Sequence, residues 1–114
     1  MKRPYKATEL LRATVDRNCR AVLLPDPDAP ANSFRLVQIL SPGEIYIGFE
    51  HTAPDEQAGG RDYVMAHVPA EIGVVAPFPI LPEQTLYMMA ARNQGANHAS
   101  LVLATLIVQH WVVE

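Results

Sequence analysis

The histidines have the widest chemical repertoire of any residue type in this chain of 114 residues, and they lie far apart: His51, His67, His98 and His110. Metal sites built from histidine usually combine ligands at short spacings on one element, and no two of these residues have such a spacing. Each also lies in a loop or at the edge of an apolar run. The sequence therefore predicts structural or surface roles for the histidines and no metal site.

Cys19 is the only cysteine, so no disulfide can form within the chain. A catalytic thiol needs surroundings that stabilise the thiolate, and no local signature of that kind accompanies Cys19. The residue begins an apolar run, which is typical of a cysteine that serves as a small buried hydrophobic side chain. Stability is accordingly expected to come from packing or from partners.

Two pairs of neighbouring carboxylates, Asp26 with Asp28 and Asp55 with Glu56, have suitable chemistry for a divalent cation. Neither pair is accompanied by the further, regularly spaced oxygen ligands of a calcium loop. The glycine pair in AGGRD, residues 58–62, lacks the strand, Lys and Ser/Thr of a phosphate-binding loop. The sequence therefore shows no catalytic signature, and we expect no catalytic residue, no bound metal and no cofactor.

Composition predicts one globular domain. A chain of 12.6 kDa with 49% hydrophobic residues can build one core but hardly two. The N-terminal segment lacks the apolar stretch of a signal peptide, and the apolar run 99–108 ends at Gln109 and His110, well short of a bilayer span. We therefore expect a soluble protein, made in a cytoplasm, with no membrane partner.

Charge is distributed unevenly along the chain. Residues 1–20 contain six Lys and Arg against two acids, a balance of +4, whereas residues 21–114 contain three against ten, a balance of −7. This asymmetry predicts a basic N-terminal arm over residues 1–18 and a folded domain over 19–114. The arm is either a solvated tail or a segment that docks on an acidic protein surface, including another copy of the chain. Nucleic acid is not an expected partner, because Tyr5 is the arm's one aromatic residue and no recognition motif accompanies it.

The rest of the chain is a series of apolar runs rich in Val, Ile, Leu, Phe and Tyr, separated by turn residues, which is the pattern of β-strands. Seven strands are predicted, at Cys19–Leu24, Ser33–Leu40, Glu44–Glu50, Tyr63–His67, Glu71–Ala76, Gln84–Arg92 and Ala99–Val113. The sequence thus predicts an all-β fold, a small antiparallel β-sandwich of jelly-roll type with about seven strands. The N-terminal segment is expected as an arm or a short helix that begins near Thr8.

Proline and glycine define the predicted connections. In SPGE, residues 41–44, the proline and the glycine suit the two corners of a type II turn, which predicts a hairpin between the flanking strands. Pro77, Pro79 and Pro82 are expected to end the preceding strand and to form a stiff approach to the next one.

The longest polar stretch is HTAPDEQAGGRD, residues 51–62. Its adjacent glycines favour a mobile loop unless something binds it. We expect Asp55, Glu56 and Arg61 to be exposed there.

Apolar residues on both faces of a strand indicate that both faces are covered. Met88 and Met89 are consecutive in a predicted strand, so their side chains point to opposite faces. Trp111 lies in a terminal strand that is partly apolar on both faces, and it either caps the core or is buried against a neighbouring subunit. We therefore regard Met88 and Trp111 as candidate subunit-interface residues.

Two motifs frame the second half of the chain, PGEIYIGFE at residues 42–50 and PEQTLYMMA at 82–90. Their order resembles that of small structural proteins of tailed bacteriophages, namely capsid decoration (cement) proteins and related head proteins. In that family a turn leads into an Ile-Gly strand, and a proline-bearing approach precedes a Gly-Gln-Thr-Leu-Tyr strand before a last strand closes a β-sandwich. The matching residues are Ile45, Tyr46, Ile47 and Gly48, then Pro82, Gln84, Thr85, Leu86 and Tyr87. The resemblance covers about residues 42–113.

One position departs from the family pattern. The usual glycine before Gln-Thr-Leu-Tyr is Glu83 here. With Pro82 at the first corner, Glu83 suits a type I turn but not the positive φ of a type II turn. We therefore expect a turn of different shape at this place.

The resemblance implies a non-enzymatic virion protein that binds the outer surface of an icosahedral capsid and stabilises it. It implies assembly in the host cytoplasm, a location on the capsid surface, a homotrimer, and the major capsid protein as partner. The N-terminal arm would then be the anchor, because a segment that orders on binding can join neighbouring subunits. Its candidate contact residues are Lys2, Arg3, Tyr5, Lys6, Leu10, Arg12 and Arg17.

Two other interpretations remain open. The first is a ligand- or carbohydrate-binding jelly-roll module of a phage tail or spike, although sugar-binding surfaces usually present several exposed aromatic residues. The second is an enzyme of cupin type, which would require His and Glu clustered on neighbouring strands.

Overall fold

The computed structural model describes residues 1–16, 20–49, 66–68, 74–90 and 102–114. Within these residues the chain forms eight β-strands: β1 (Lys2–Val15), β2 (Arg20–Leu23), β3 (Ser33–Leu40), β4 (Ile45–Gly48), β5 (Ala66–Val68), β6 (Val74–Ile80), β7 (Leu86–Ala90) and β8 (Val102–Val113). β3 and β8 alternate buried with more exposed positions, and β4 and β6 are rich in β-branched or aromatic residues.

The strands form two four-stranded sheets. The long sheet has the order β1-β8-β3-β6, the short sheet has the order β2-β7-β4-β5, and every pair of neighbours is antiparallel. Consecutive strands alternate between the sheets except at β4 and β5, which is the arrangement of a jelly roll. The predicted all-β antiparallel sandwich of jelly-roll type is confirmed, with eight strands described where about seven were expected.

The N-terminal segment is part of the sandwich. Residues Lys2–Val15 form β1, the edge strand of the long sheet, and pair with β8 along its whole length. The short helix expected near Thr8 is wrong, and the basic segment is not an arm separate from the sheet. Leu11, Ala13 and Val15 alternate toward the core, so the period of two prevails over the weak helical spacing.

The connection at residues 41–44 is a corner between sheets, so the predicted hairpin is wrong. β3 lies in the long sheet and β4 in the short one. The corner is stabilised locally, since the Ser41 hydroxyl donates to the Gly43 carbonyl at 2.7 Å and accepts from the Gly43 amide at 3.4 Å. The turn chemistry identified the bend but not the sheet that the chain enters next.

The prolines of the PFPILP stretch do not end the strand before them. β6 continues through Pro77 and Pro79 to Ile80, opposite Arg35 of β3. The β3–β6 ladder has a register shift between Val37 and Ile39 of β3, opposite Pro77, so the regular pairing is already interrupted there. β6 is also the outermost strand of its sheet and pairs on one side only, which makes proline tolerable.

The turn that follows is as the sequence predicts. The Gln84 amide donates to the Leu81 carbonyl at 3.1 Å, and the Gln84 side-chain oxygen accepts from the Leu81 amide at 2.8 Å. Among the described non-glycine residues only Asn32 has a positive φ, of 61°. Glu83 therefore avoids the type II conformation, as expected.

The core lies between the sheets. Its fully buried side chains are aliphatic or thioether groups of both layers: Val15, Val37, Ile39, Ile45, Ile47, Ile80, Leu86, Met88, Leu106 and Val108. Met88 is completely buried in this cluster, so its prediction as a subunit-interface residue is wrong. Met89, which points to the other face of the short sheet, is buried with Tyr46 in a second small cluster.

Candidate functional site

The long sheet presents a broad apolar outer face. Successive residues of a strand point to opposite sides, so the positions that alternate with the core residues of β1, β8, β3 and β6 all lie on this face. Its large apolar members are Leu10, Phe34, Leu36, Leu40, Val74, Leu103, Ile107 and Trp111. We refer to this surface as the outer face.

The register places these side chains in rows across the sheet. In the central row Leu10 of β1 lies opposite Ile107 of β8, which lies opposite Gln38 of β3. In the next row Leu40 lies between Thr105 and Val74. Directly opposed residues on one face are neighbours in space, so the rows form a continuous surface.

Several of these side chains are more exposed than a folded chain normally leaves them. Leu10 is 62% exposed and Leu103 is 53% exposed. Val74 and Leu40 are partly exposed as well, and Ile107, Leu36 and Phe34 are half-buried. A contiguous apolar surface of this kind is typical of a site that contacts another macromolecule.

Charge is scarce on the outer face. In the described strands, Lys2 and Arg12 of β1 are its only charged residues. The Lys2 ammonium lies 5.3 Å from the centre of the Trp111 ring, in cation–π geometry. The Trp111 ring nitrogen donates to the Gln109 side-chain oxygen at 3.4 Å. Trp111 is therefore half-buried on the outer face, and its role at a subunit interface stays a prediction.

The free edge of β1 carries most of the predicted contact residues. Lys2, Arg3, Lys6, Leu10 and Arg12 are all exposed. Arg3 forms an ion pair with Glu114, and the Lys6 ammonium lies 3.4 Å from the Glu9 carboxylate. The sequence thus identified a basic, accessible strand, although it described that strand as an arm.

Tyr5 is not available as an apolar anchor. Its hydroxyl donates to the Asp26 carboxylate at 3.3 Å, and its ring contacts His110 edge-on, with ring centres 5.7 Å apart. Burial raises the pKa of the Tyr5 hydroxyl, and the negative charge of Asp26 raises it further. The tyrosine therefore attaches β1 to the loop after β2 and takes its place within the fold.

Four predicted residues lie outside the described residues: Arg17, Asp55, Glu56 and Arg61. The same holds for Cys19, His51 and His98.

A polar cluster closes one end of the inner face of the long sheet. It consists of Tyr5, Glu9, Asp26, Arg35 and His110. Arg35 and His110 are directly opposed on β3 and β8, and both are almost completely buried.

Arg35 connects two segments that cover this end of the sheet. Its guanidinium donates to the Leu24 carbonyl at 2.8 Å and to the Gln84 carbonyl at 3.3 Å. Burial lowers the pKa of the Arg35 guanidinium, and the Asp26 carboxylate opposes that effect. An arginine keeps its charge at neutral pH in such surroundings, so the group acts as a fixed donor.

His110 and Glu9 join β8 to β1, with 2.6 Å between the His110 Nε2 and the Glu9 Oε1. Burial raises the pKa of the Glu9 carboxyl, but the hydrogen bonds from His110 and Lys6 outweigh it and leave this pKa below its ordinary value. The carboxylate is consequently charged at neutral pH and accepts hydrogen bonds from both partners.

Two hydroxyls lie in or beside the cluster. The hydroxyl of Tyr5 donates to the Asp26 carboxylate, and the hydroxyl of Ser33 donates to the Pro30 carbonyl at 2.6 Å. No group of three metal-binding side chains occurs in the part of the chain that the structure describes. The geometry indicates a structural role, in which charged groups tie loops and edge strand to the sheet.

Sequence reasoning missed this cluster, although one signal was present. In SFRLVQIL the alternation puts Arg35 on the same face as Val37 and Ile39, which are core residues. An arginine that points to the same face as core residues has a buried guanidinium, which needs specific hydrogen-bond acceptors. The partners are distant in sequence, and no local pattern pointed to them.

The described part of the chain has no helix long and apolar enough to cross a membrane. No protein-family model, no curated protein and no solved structure matches this chain.

Proposed function

We propose that this protein is a non-enzymatic structural component of a tailed-phage virion. In this role it binds the outer surface of the icosahedral capsid and stabilises the shell, as a homotrimer whose main partner is the major capsid protein. Assembly takes place in the host cytoplasm.

The observation that carries the proposal is the exposed basic edge of the sandwich. Lys2, Arg3, Lys6 and Arg12 all lie on β1, whereas the chain beyond residue 20 has a balance of −7. β1 has four cations against one acid, Glu9, and so keeps a net positive charge, although Arg3 and Lys6 form ion pairs. Such a strand is suited to an acidic protein surface, because complementary charge speeds docking and fixes orientation. β1 would then contact the shell as an ordered strand and not as an arm that orders on binding.

The fold and the phage-like motifs give further support. Jelly rolls are common among viral capsid proteins, although lectins and cupins share them, so the fold alone does not decide the function. The two motifs that resemble decoration proteins lie side by side in the short sheet, where Ile47 of β4 is opposite Met88 and Gly48 is opposite Tyr87 of β7.

The test is co-sedimentation of the purified protein with capsids of the phage that encodes it, stripped of surface proteins. Deletion of residues 1–12 would remove most of β1 and expose β8, so charge reversal is the better variant. We expect Lys6→Glu with Arg12→Glu to weaken capsid binding at least about 10-fold at low salt, and added salt to weaken binding of the unaltered protein. The matched control is Glu83→Lys, an exposed charge reversal on the turn before β7.

Three results would contradict the proposal. The first is an encoding genome that is not a phage genome. The second is a folded protein that stays in the supernatant with its own shells at every salt concentration. The third is equal binding by the charge-reversed variant, which would remove β1 as the docking edge.

A second candidate, a carbohydrate-binding module of a tail or spike, rests on one observation. Trp111 and Phe34 are directly opposed on the outer face and form a small aromatic platform. Lys2 covers part of the Trp111 ring, which leaves less of it for a sugar. Quenching or a shift of the fluorescence of Trp111, the only tryptophan, on titration with a glycan would favour this candidate.

A further inference from the structure

We propose that the outer face of the long sheet packs against another copy of this chain. Because the same face meets itself, the contact is two-fold and gives a dimer, so the inference does not rest on the homotrimer of the proposed function. The size of the face, its low charge and the structure of the sheet edges each favour a second copy as the occupant.

The face is large enough for a stable interface. β8 has 12 residues, which at about 3.3 Å per residue gives a length of about 40 Å. Four strands about 4.8 Å apart give a width of roughly 15 Å. Since β3 and β6 are shorter than β8, the flat area is roughly 500 Å², and side-chain relief brings the accessible surface near the 800 Å² or so that each partner of a standard interface buries.

The low charge of the face permits a second copy. Its polar members Gln38, Thr105 and Gln109 are uncharged, and of its two cations Lys2 lies at the end of β1 and Arg12 lies opposite Thr105, beside the central row. Two cations on a largely apolar face oppose self-association less than a strongly charged surface would, because both side chains are long and exposed and can extend toward the rim. An acidic shell is better recognised by the basic edge of β1.

The edge strands of the long sheet are poorly suited to pairing with a strand of another copy. β6 carries Pro77 and Pro79 on its outermost position, and β1 carries Pro4 together with two irregularities in register, between Pro4 and Lys6 and between Lys6 and Glu9. Prolines and bulges disrupt the regular row of donors and acceptors that another strand would need. Copies of the chain therefore associate through the face, in sheet-on-sheet packing with layers about 10 Å apart.

Leu10 is the best probe of this interface. It lies in the central row, opposite Ile107, and is 62% exposed, so a charged residue there does not disturb the core. We expect the unaltered protein to be oligomeric at micromolar concentration by light scattering coupled to size exclusion. We expect Leu10→Glu to weaken association at least about 100-fold, because the interface would bury an unpaired carboxylate.

The matched control is Leu24→Glu. Leu24 is 66% exposed but lies after β2, outside the outer face. The inference is supported if Leu10→Glu is a folded monomer while Leu24→Glu keeps the oligomer. It is overturned if the unaltered protein is monomeric at these concentrations, or if both variants assemble equally well.

A cross-linking experiment keeps the inference testable if Leu10→Glu does not fold. In a Cys19→Ser background, Leu10→Cys is treated with a short bis-maleimide and compared with Leu24→Cys. Cross-linked species between copies are expected from position 10 and not from position 24, and the opposite result overturns the inference.

The two proposals fail in different ways. A dimer that Leu10→Glu dissociates supports the interface at the outer face and contradicts the homotrimer. An oligomer that Leu10→Glu dissociates but that does not bind capsids supports the interface at the outer face and contradicts the virion role. Capsid binding by a protein that is monomeric both free and on the shell supports the virion role but contradicts both the homotrimer and the outer-face interface.

Discussion

His110 and Glu9 are 101 positions apart in sequence, and the His110 Nε2 and the Glu9 Oε1 lie 2.6 Å apart where β8 meets β1. The contact attaches an edge strand to the middle of its sheet at the end of the core. His110 is almost fully buried, whereas the Glu9 side chain is 38% exposed, so this contact bridges the interior and the surface.

The Glu9–His110 contact makes stability depend on pH in a defined direction. The pKa of Glu9 is lower in the folded state than in the unfolded state, so its contribution is present above the ordinary carboxyl pKa of about 4.3 and is lost as the pH falls through the folded value. We expect Glu9→Gln to cost no more than about 1 kcal/mol at pH 7, since the carboxylate is partly exposed. The cost should disappear once the pH lies well below the folded pKa of Glu9, where the carboxyl is protonated in both states.

Urea unfolding of both proteins across that pH range measures the Glu9 effect. A double-mutant cycle with His110→Asn isolates the pair. A coupling energy of zero at pH 7, or a difference that grows toward acid, would be inconsistent with the contact.

Arg35→Ala should be among the most damaging changes outside the aliphatic core. It leaves the partly buried carbonyls of Leu24 and Gln84 without their donor and removes a side chain that is almost completely buried. Lost hydrogen bonds to a charged donor and the lost packing together suggest a decrease of about 3 kcal/mol in the free energy of unfolding. Arg20→Ala is the control, because Arg20 pairs with Asp16 on an exposed surface, and it should unfold at nearly the same denaturant concentration as the unaltered protein. Equal effects of the two substitutions would disprove the role assigned to Arg35.

Met88→Ala tests whether Met88 is a core residue or a subunit-interface residue. Met88 is completely buried between the sheets, so truncation should cost about 2 to 4 kcal/mol and leave the oligomeric state unchanged in the folded protein. Thermal unfolding and size exclusion give the two measurements. Trp111 lies on the outer face, so Trp111→Ala should weaken association between copies and cost less free energy of unfolding than Met88→Ala. A Met88→Ala protein that keeps its stability but dissociates would restore Met88 as an interface residue.

Replacing the edge prolines should make the protein aggregate. Pro77→Thr together with Pro79→Thr provides two new amide donors on the outermost strand β6 and relieves the constraint that keeps it irregular, so other strands can pair with it more easily. We expect a several-fold faster rise in thioflavin fluorescence at elevated temperature. Pro82→Thr, in the turn before β7, serves as the control and should aggregate like the unaltered protein. Unchanged aggregation of the double variant would show that β6 is protected by something other than proline.

The sequence predicted the class of fold because alternation and turn residues are local. IYIG and SFRLVQIL are strands in the structure as in the prediction, and Glu83 adopts the turn geometry that its lack of positive φ allows. β1 was missed because the spacing of Leu10, Leu11 and Val15 is compatible with a weak helix, and only pairing with β8 decides the matter.

The errors all concern partners that are distant in sequence. Residues 41–44 indicate a bend, but nothing local indicates that β4 joins the other sheet. Pro77 and Pro79 look like strand breakers until β6 is known to be an edge. The candidate site was also predictable only in part. The basic residues of β1 were evident from composition, whereas the outer face and the acceptors of Arg35 depend on which strands are neighbours.

The pairing of β1 with β8 also determines how the chain acquires its structure. β1 is synthesised about a hundred residues before the strand that it pairs with, and nearly every other ladder joins strands that are not consecutive. The entropy of closing such long loops is lost before the contacts between strands can stabilise the chain. Jelly-roll topologies therefore belong to the slowly folding domains, which fold in milliseconds to seconds or longer. During that interval the apolar strands lack partners, and the charge of β1, which comes first, helps to keep the nascent chain in solution.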